Sequence, residues 1–285
     1  MDLDPDLAAL RPLGGFFVLR TLRPATEDPA AGDPATEDPA AGDPVAGDPV
    51  AGDPVAGDPA AARIDGLPRL AQAYGTSPPD AHGDVLTSRV ELVAARLRTG
   101  ELRVAASIAH QGLAARLWSA ALGCAARYGR LPDLDARLLR WDAAAAAPDD
   151  LWLTEVRALP GGAGPDTLAE AVVHGHLQPL AETLRARYGA AAGLLWGNAA
   201  SALAGAAREL ERWARAEGRT EDVDRVRALA DALLAHPLLR AGGVRTGPAF
   251  RRRSCCLYYR VPGGGICGDC CFTQPPRSSP RAASG

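Results

Sequence analysis

Residues 103–129 read "RVAASIAHQGLAARLWSAALGCAARYG". This run decides the fold class. Alanine and leucine are strong helix formers, no proline interrupts the stretch, and Gly129 followed by Pro132 supplies a stop. Gly112 is where a bend would fall. The flanking sequence repeats the pattern. "RVELVAARLRTG" (89–100) sets Val90, Val93 and Leu97 on one helical face, with Gly100 as the expected C′ residue. "GHLQPLAETLRARYG" (175–189) does the same with Leu177, Leu180 and Leu184, and "AAAGLLWGNAASALAGAARELERWARAEG" (190–218) is a second long run whose small residues permit close helix packing. In "TEDVDRVRALADALLAHP" (220–237), Thr220 is the expected N-cap, with acids in the first turn and Val223, Val226, Ala230 and Leu233 facing one side. Only "LWLTEVRALPGG" (151–162) reads as a strand. The expectation is a mainly α protein with minor strand content, a helical domain ending in a cysteine-rich loop.

The chain has 285 residues, enough for one large domain or two small ones. Hydrophobic residues reach 47%, much of it alanine, and all 31 basic residues are arginine. The arginine, alanine and glycine bias reads as genome composition. The net charge of −3 predicts no nucleic-acid partner, but it is unevenly spread. Residues 1–62 carry 12 acids and 3 bases (−9), residues 240–285 carry 8 arginines and the single acid Asp269 (+7), and the middle sums to −1. No stretch approaches the ~20 apolar residues of a transmembrane helix, and the acidic start "MDLDPDLAALRPLGG" lacks the basic region of a secretory signal. A cytosolic protein is expected, free or peripheral at the inner face of the membrane.

Residues 24–59 are a tandem repeat, "PATEDPAAGD" twice and "PVAGD" three times, with nine acids and no base. Proline every five residues and the lack of large apolar side chains leave nothing with which to bury a core. The segment 24–62 is therefore expected to be a disordered insertion, neutral rather than functional. It lies between an N-terminal segment (1–23), whose "LGGFFVLR" should dock on the main domain as a short strand or helix end, and a helical domain (63–248). A cysteine motif (249–275) and a disordered tail (276–285) follow.

Five of the six cysteines fall within "CCLYYRVPGGGICGDCC" (255–271). In a reducing compartment, clustered cysteines hold a metal or do redox chemistry more often than they form structural disulfides. Cys255 and Cys256, ten residues, Cys267, two residues, Cys270 is a four-thiolate set, suited to a [2Fe–2S] cluster or to structural zinc. Adjacent cysteines fit zinc knuckles of the Cys-x₂–₄-Cys form poorly because neighbouring side chains diverge. A binuclear centre needs two thiolates per iron and tolerates that divergence. The glycines before and after Cys267 let backbone approach a bulky inorganic core. Arg251, Arg252, Arg253 and Arg260 suit a net anionic site, where cations favour the reduced form. Zinc and a redox disulfide stand as the lesser readings.

"SCCLYYRVPGGGICGDCC" resembles the C-terminal motif of ferric siderophore reductases of the ferrioxamine and ferrichrome reductase type, with a Cys-Cys-x₁₀-Cys-x₂-Cys site for one [2Fe–2S] cluster. The pattern is met at Cys255, Cys256, Cys267 and Cys270. Looser likeness extends to "GLAARLWSAALG" (112–123), "HGHLQPL" (174–180) and "LLWGNAASALAGA" (194–206). Cys271 and the 24–59 repeat are foreign to the pattern, and Cys271 is read as a bystander thiol. The resemblance implies cluster ligation by those four cysteines and one-electron reduction of Fe(III) to Fe(II) in an imported, hydroxamate-type siderophore. With no GxGxxG fingerprint opening a βαβ unit, electrons would come from an external ferredoxin, flavodoxin or flavin reductase. The basic C-terminal segment would steer an acidic donor or anionic chelate.

A different class of function competes, a non-enzymatic zinc- or iron–sulfur-stabilised binding or redox-sensing protein, although no basic recognition helix supports DNA reading. Other residues invite weaker readings. His174 and His176 form an HxH pair, read as capping or packing. Trp196 and Asn198 are read as helix packing, with contact to the cluster loop or siderophore as the alternative. Tyr258 and Tyr259 shield the loop or simply pack. Cys124 reads as a small buried hydrophobe.

Overall fold

The computed structural model describes residues 3–21, 64–75 and 84–276; the 24–62 repeat and residues 277–285 of the tail lie outside them. Its elements are α1 (Asp4–Ala8), β1 (Arg20–Thr21), α2 (Val85–Leu97), α3 (Leu102–Tyr128), β2 (Leu139–Trp141), β3 (Leu151–Leu153) and α4 (Pro165–Leu168). A π-helical segment (Ala169–Leu177) leads into α5 (Gln178–Tyr188), followed by α6 (Ala192–Ala216), α7 (Thr220–Leu234), β4 (Gly243–Thr246) and β5 (Ala249–Arg252). The fold is mainly α, as composition and periodicity predicted.

Helix α3 is the axis of the molecule. Nineteen of its 27 residues are buried, so it is covered on nearly every side. It runs uninterrupted through Gly112. Its most extensive neighbour is α6, which also packs on α7, while α2 lies on another face of α3. Small residues make this approach possible. At Gly123 a Cβ would sit 3.1 Å from Leu10 and 3.3 Å from Phe17, so glycine admits the N-terminal segment onto α3. Leu7, Leu10, Phe17 and Leu19 enter the common core there. Each fully buried leucine contributes ~1.5–3 kcal/mol relative to an exposed one. On α5 and its approach, Leu177, Leu180 and Leu184 all face inward, as do Val223, Val226, Ala230 and Leu233 on α7.

The strands are short. β3 pairs parallel with β1 and antiparallel with β2. The strand expected over 151–162 shrinks to Leu151–Leu153. Leu151 and Leu153 alternate inward, but Thr154 already donates its N–H to Leu138 and the chain turns away. A hairpin, β4–β5, was not anticipated; it pairs Gly243 with Arg252 and Thr246 with Ala249, turning at Gly247 (φ 58°). Two helix ends also differ. α2 closes at Arg98 in the left-handed region (φ 52°), two residues before Gly100, because Thr99 N–H reaches Ala94. Arg219, not Thr220, holds the cap position of α7 and pairs with Asp222 at 2.5 Å.

The HxH pair is divided by the π-helix. His174 points outward to Gln178 Oε1 (2.9 Å) and meets the His236 ring edge to face. His176 is buried, with Leu134 O at 2.6 Å from Nε2 and Tyr74 OH at 2.7 Å from Nδ1. The carbonyl can only accept, so Nε2 carries the proton and Nδ1 accepts from the tyrosine. The pair therefore packs rather than binding metal. Burial pushes the His176 pKa down to about 4. An unfolded histidine titrates near 6.5, so the unfolded chain takes up a proton that the fold excludes. Stability falls as pH drops from about 6.5 toward 4, by about 1.4 kcal/mol per unit for this residue. His110, held down to about 3 by burial and then by Arg252, acts in the same direction. Urea unfolding at pH 7 and pH 5 should show a loss of roughly 2 kcal/mol or more. An unchanged unfolding free energy would contradict these burial assignments.

Candidate metal centre

The hairpin delivers the cysteines to a platform formed by α6 and the first turns of α3. At Gly242 a Cβ would lie 2.7 Å from the Ala200 Cβ and 2.9 Å from the Trp196 carbonyl, so the hairpin base sits directly on α6. One turn away, a Cβ at Gly197 would collide with Ser254 Oγ and lie 3.2 Å from Arg252 Nη2. Ser254 Oγ donates to the Gly193 carbonyl at 2.7 Å. These contacts seat the residues immediately before Cys255. The backbone of Cys256 is held from the other side, where Ser107 Oγ donates to its carbonyl at 2.8 Å.

The second half of the motif is anchored to the same helix. Asp269, the single acid of the C-terminal segment, accepts from Ser201 Oγ (2.6 Å) and Arg208 Nη1 (3.3 Å). Its carbonyl accepts the Arg252 N–H at 2.9 Å. That one bond brings the residues preceding Cys270 and Cys255 side by side. Between them the chain doubles back at Gly264, where a Cβ would strike the Tyr258 carbonyl and come within 2.9 Å of the Val261 carbonyl. Cys270 N–H closes the Cys267–Cys270 turn on the Cys267 carbonyl at 3.0 Å. Tyr259 and Phe272 meet edge to face, ring centres 6.1 Å apart, across the two ends of the loop.

Two of the sulfur atoms share one local geometry. Leu257 N–H points at Cys255 Sγ (3.2 Å) and Phe272 N–H at Cys270 Sγ (3.4 Å). The amides of Tyr258 and Asp269 act in the same sense on Cys256 and Cys267, favouring their thiolates. For Cys271 the amide that does so is its own. Amides aimed at sulfur stabilise thiolates and tune iron–sulfur centres.

All six cysteines are free thiols. Cys256 and Cys267 are neighbours that share a proton: the Cys267 thiol holds Cys256 down against the effect of burial, and Cys256 in turn raises Cys267. Burial, then the neighbouring Cys256, Cys271 and Cys270, pushes Cys255 up to about 11. Burial also raises Cys271. Among the described residues no three Cys, His, Asp or Glu side chains converge as a cage for a single ion. The donor set, its amide bonds and its position at the surface fit a [2Fe–2S] group.

The remaining candidates divide clearly. Cys124 is buried on α3 and its pKa is driven up to about 12, so it is an inert apolar thiol. Asn198 does serve the cluster loop, accepting from Arg252 Nη2 at 2.5 Å while its amide donates to Ser107 O and Oγ at 2.8 and 3.0 Å. Trp196 packs against the core from its edge. Tyr258 is exposed rather than a shield. Arg260 forms a bidentate pair with Glu101 at 2.8 and 3.0 Å. Sequence reasoning missed Ser107, Ser201 and Arg208. Each lies on a helix, and nothing in its spacing points to a loop some 60 or more positions away.

Residues 252–272 match the family model described as the FhuF 2Fe-2S C-terminal domain. A comparison with curated proteins found none that matches. The match indicates a [2Fe–2S] cluster in this chain and supports kinship, through this segment, with the ferric siderophore reductase family.

Proposed function

We propose that Cys255, Cys256, Cys267 and Cys270 ligate the cluster and that the protein is a ferric siderophore reductase. The observation that carries the ligand assignment is the Arg252 N–H to Asp269 carbonyl bond, which brings the two halves of the motif side by side, with amide N–H groups on the sulfurs of Cys255 and Cys270 at its two ends. When bound, the cluster supplies a one-electron couple at the protein surface. The helical body, residues 63–248, acts as the rigid support, and the 249–275 motif carries the chemistry. α6 and α3 hold the thiolates in place through Ser254, Asp269 and Ser107, so little rearrangement is needed on electron transfer.

The substrate reading follows from coordination chemistry. Hard siderophore oxygens hold Fe(III) far more tightly than Fe(II), so adding one electron releases the metal. The electron balances as Fe(III)–chelate plus one electron giving Fe(II) and free chelate, with an external ferredoxin, flavodoxin or flavin reductase as its source. Arg240, Arg251 and Arg253 are exposed around the loop, and Tyr258, Ile266 and Phe272 form an exposed apolar edge beside them. That surface suits an anionic chelate or an acidic donor, and electrostatic steering makes association fall with salt.

The test is a single turnover. Protein reduced anaerobically is mixed with a ferric hydroxamate and a ferrous-specific chelator. The expected result is prompt reoxidation with one Fe(II) trapped per protein-borne electron, slowing as ionic strength rises. A reduced protein that ignores the ferric chelate would defeat the reductase reading.

A further inference from the structure

Arg252 is the anomaly of the site. Its side chain is 2% exposed, yet each of its partners is neutral. Nε donates to Ser254 O (3.0 Å), Nη1 to Gln111 Oε1 (3.4 Å), and Nη2 to Asn198 Oδ1 (2.5 Å) and Leu194 O (3.3 Å). Other arginines drawn into the fold are treated differently. Arg116 has Asp150 at 2.8 Å, and Arg245 has Glu211 and Asp231. A guanidinium buried without a counter-charge is strongly unfavourable, and folds retain one where an anion completes it.

The surroundings show where that anion belongs. Arg252 joins both halves of the motif: its N–H donates to the carbonyl of Asp269, next to Cys270, and its Nε to the carbonyl of Ser254, next to Cys255. His110, one turn along α3 from Ser107, is buried beside it, and neither ring nitrogen has a hydrogen-bond partner. It is kept neutral there by burial and by Arg252, so it cannot offset the charge. Asp269, whose carbonyl accepts the Arg252 N–H, commits its carboxylate to Ser201 and Arg208, which leaves the role to the thiolate–cluster unit, net anionic and more so on reduction.

We infer that Arg252 is the internal counter-charge of the cluster, a positioning residue that raises its reduction potential by favouring the reduced form. This rests on the reading that Cys255, Cys256, Cys267 and Cys270 are the ligands. It separates Arg252 from the other arginines of the motif. Arg251 and Arg253 are exposed and screened by water and salt, and Arg260 is committed to Glu101. A charge sealed from solvent acts at low dielectric and is screened far less.

The experiment is an optical redox titration of full-length cluster-loaded protein, comparing wild type with Arg252→Gln, Arg252→Lys and Arg251→Gln. Arg252→Gln should shift the oxidised-to-reduced ratio at a fixed potential at least tenfold toward oxidised, about 59 mV for one electron. The shift should persist at high salt. Arg252→Lys keeps the charge and should retain most of the potential, and Arg251→Gln should move it less than threefold. Where Arg252→Gln does not hold iron, Gln111→Glu places a carboxylate against Nη1 from a half-buried position and should lower the potential in the same sense. An Arg252→Gln protein with the wild-type potential overturns the inference. So does a lysine variant as low as the glutamine one, a surface variant that shifts as far, or a Gln111→Glu protein that does not shift. Wild-type protein that lacks a cluster would instead overturn the ligand reading beneath it.

Discussion

Serine at Cys255, Cys256, Cys267 or Cys270 should remove the cluster, and serine at Cys271 should leave it in place. The difference follows from how the sulfurs are held. Cys255 and Cys270 accept the N–H of residue i+2, and the amides of Tyr258 and Asp269 favour the thiolates of Cys256 and Cys267, the form a ligand must present. Two of them, Cys256 and Cys267, are close enough to shift each other's titration in opposite directions. Cys271 lies next to Cys270 without that amide arrangement. Loss of an outer-shell partner alone costs roughly 10–100-fold in metal affinity, so loss of a ligand should exceed that. Iron per chain and visible absorbance should collapse in the four variants and stay near wild type in Cys271→Ser. Equal loss in Cys271→Ser would show that the extra thiol is a ligand and that one of the four is not.

The largest stability effect belongs to Arg116. Its side chain is almost fully buried on α3, paired to Asp150 at 2.8 Å. It also donates to the carbonyls of Gly15 (2.9 Å), Phe16 (2.6 Å) and Val18 (2.6 Å). One guanidinium therefore ties the N-terminal segment and the 142–150 loop to the central helix. Arg116→Met removes the charge, leaves Asp150 buried without its partner and strands three carbonyls. Breaking a buried pair from one side costs roughly 3–5 kcal/mol. For a protein of this size that corresponds to a melting temperature lower by roughly 6–20 °C. A loss below about 1 kcal/mol, the level of an exposed pair, would show that the network is slack.

Neither Arg116 nor Arg252 was distinguishable in the sequence. "LAARLWSA" and "RRRSCC" present arginine as surface residues usually do, and with all basic positions being arginine the type itself carries no signal. What separates them from their neighbours is burial, which depends on segments about 100 and 60 positions away. The helices, by contrast, were legible because their apolar spacing is a local property. Leu177, Leu180 and Leu184 share a face whatever the rest of the chain does. The π-helical turn before α5 and the early close of α2 at Arg98 are backbone events without a residue signature. The β4–β5 hairpin escaped notice because "GGVRTGPAFRRR" holds a single large aromatic, Phe250, whose burial is supplied by α6 and not by strand alternation. The cysteine motif was legible because four thiols at fixed spacing have few chemical uses; the platform beneath them, built from Gly197, Ser201 and Ser107, was not.

The measurement that bears most directly on the whole account is quantification of iron, zinc and acid-labile sulfide in anaerobically purified protein, with the visible spectrum of the same sample. The account predicts broad visible absorption with about two irons and two sulfides per chain and zinc at trace level. A colourless protein holding zinc, or one free of metal that refuses reconstitution with iron and sulfide, would contradict it.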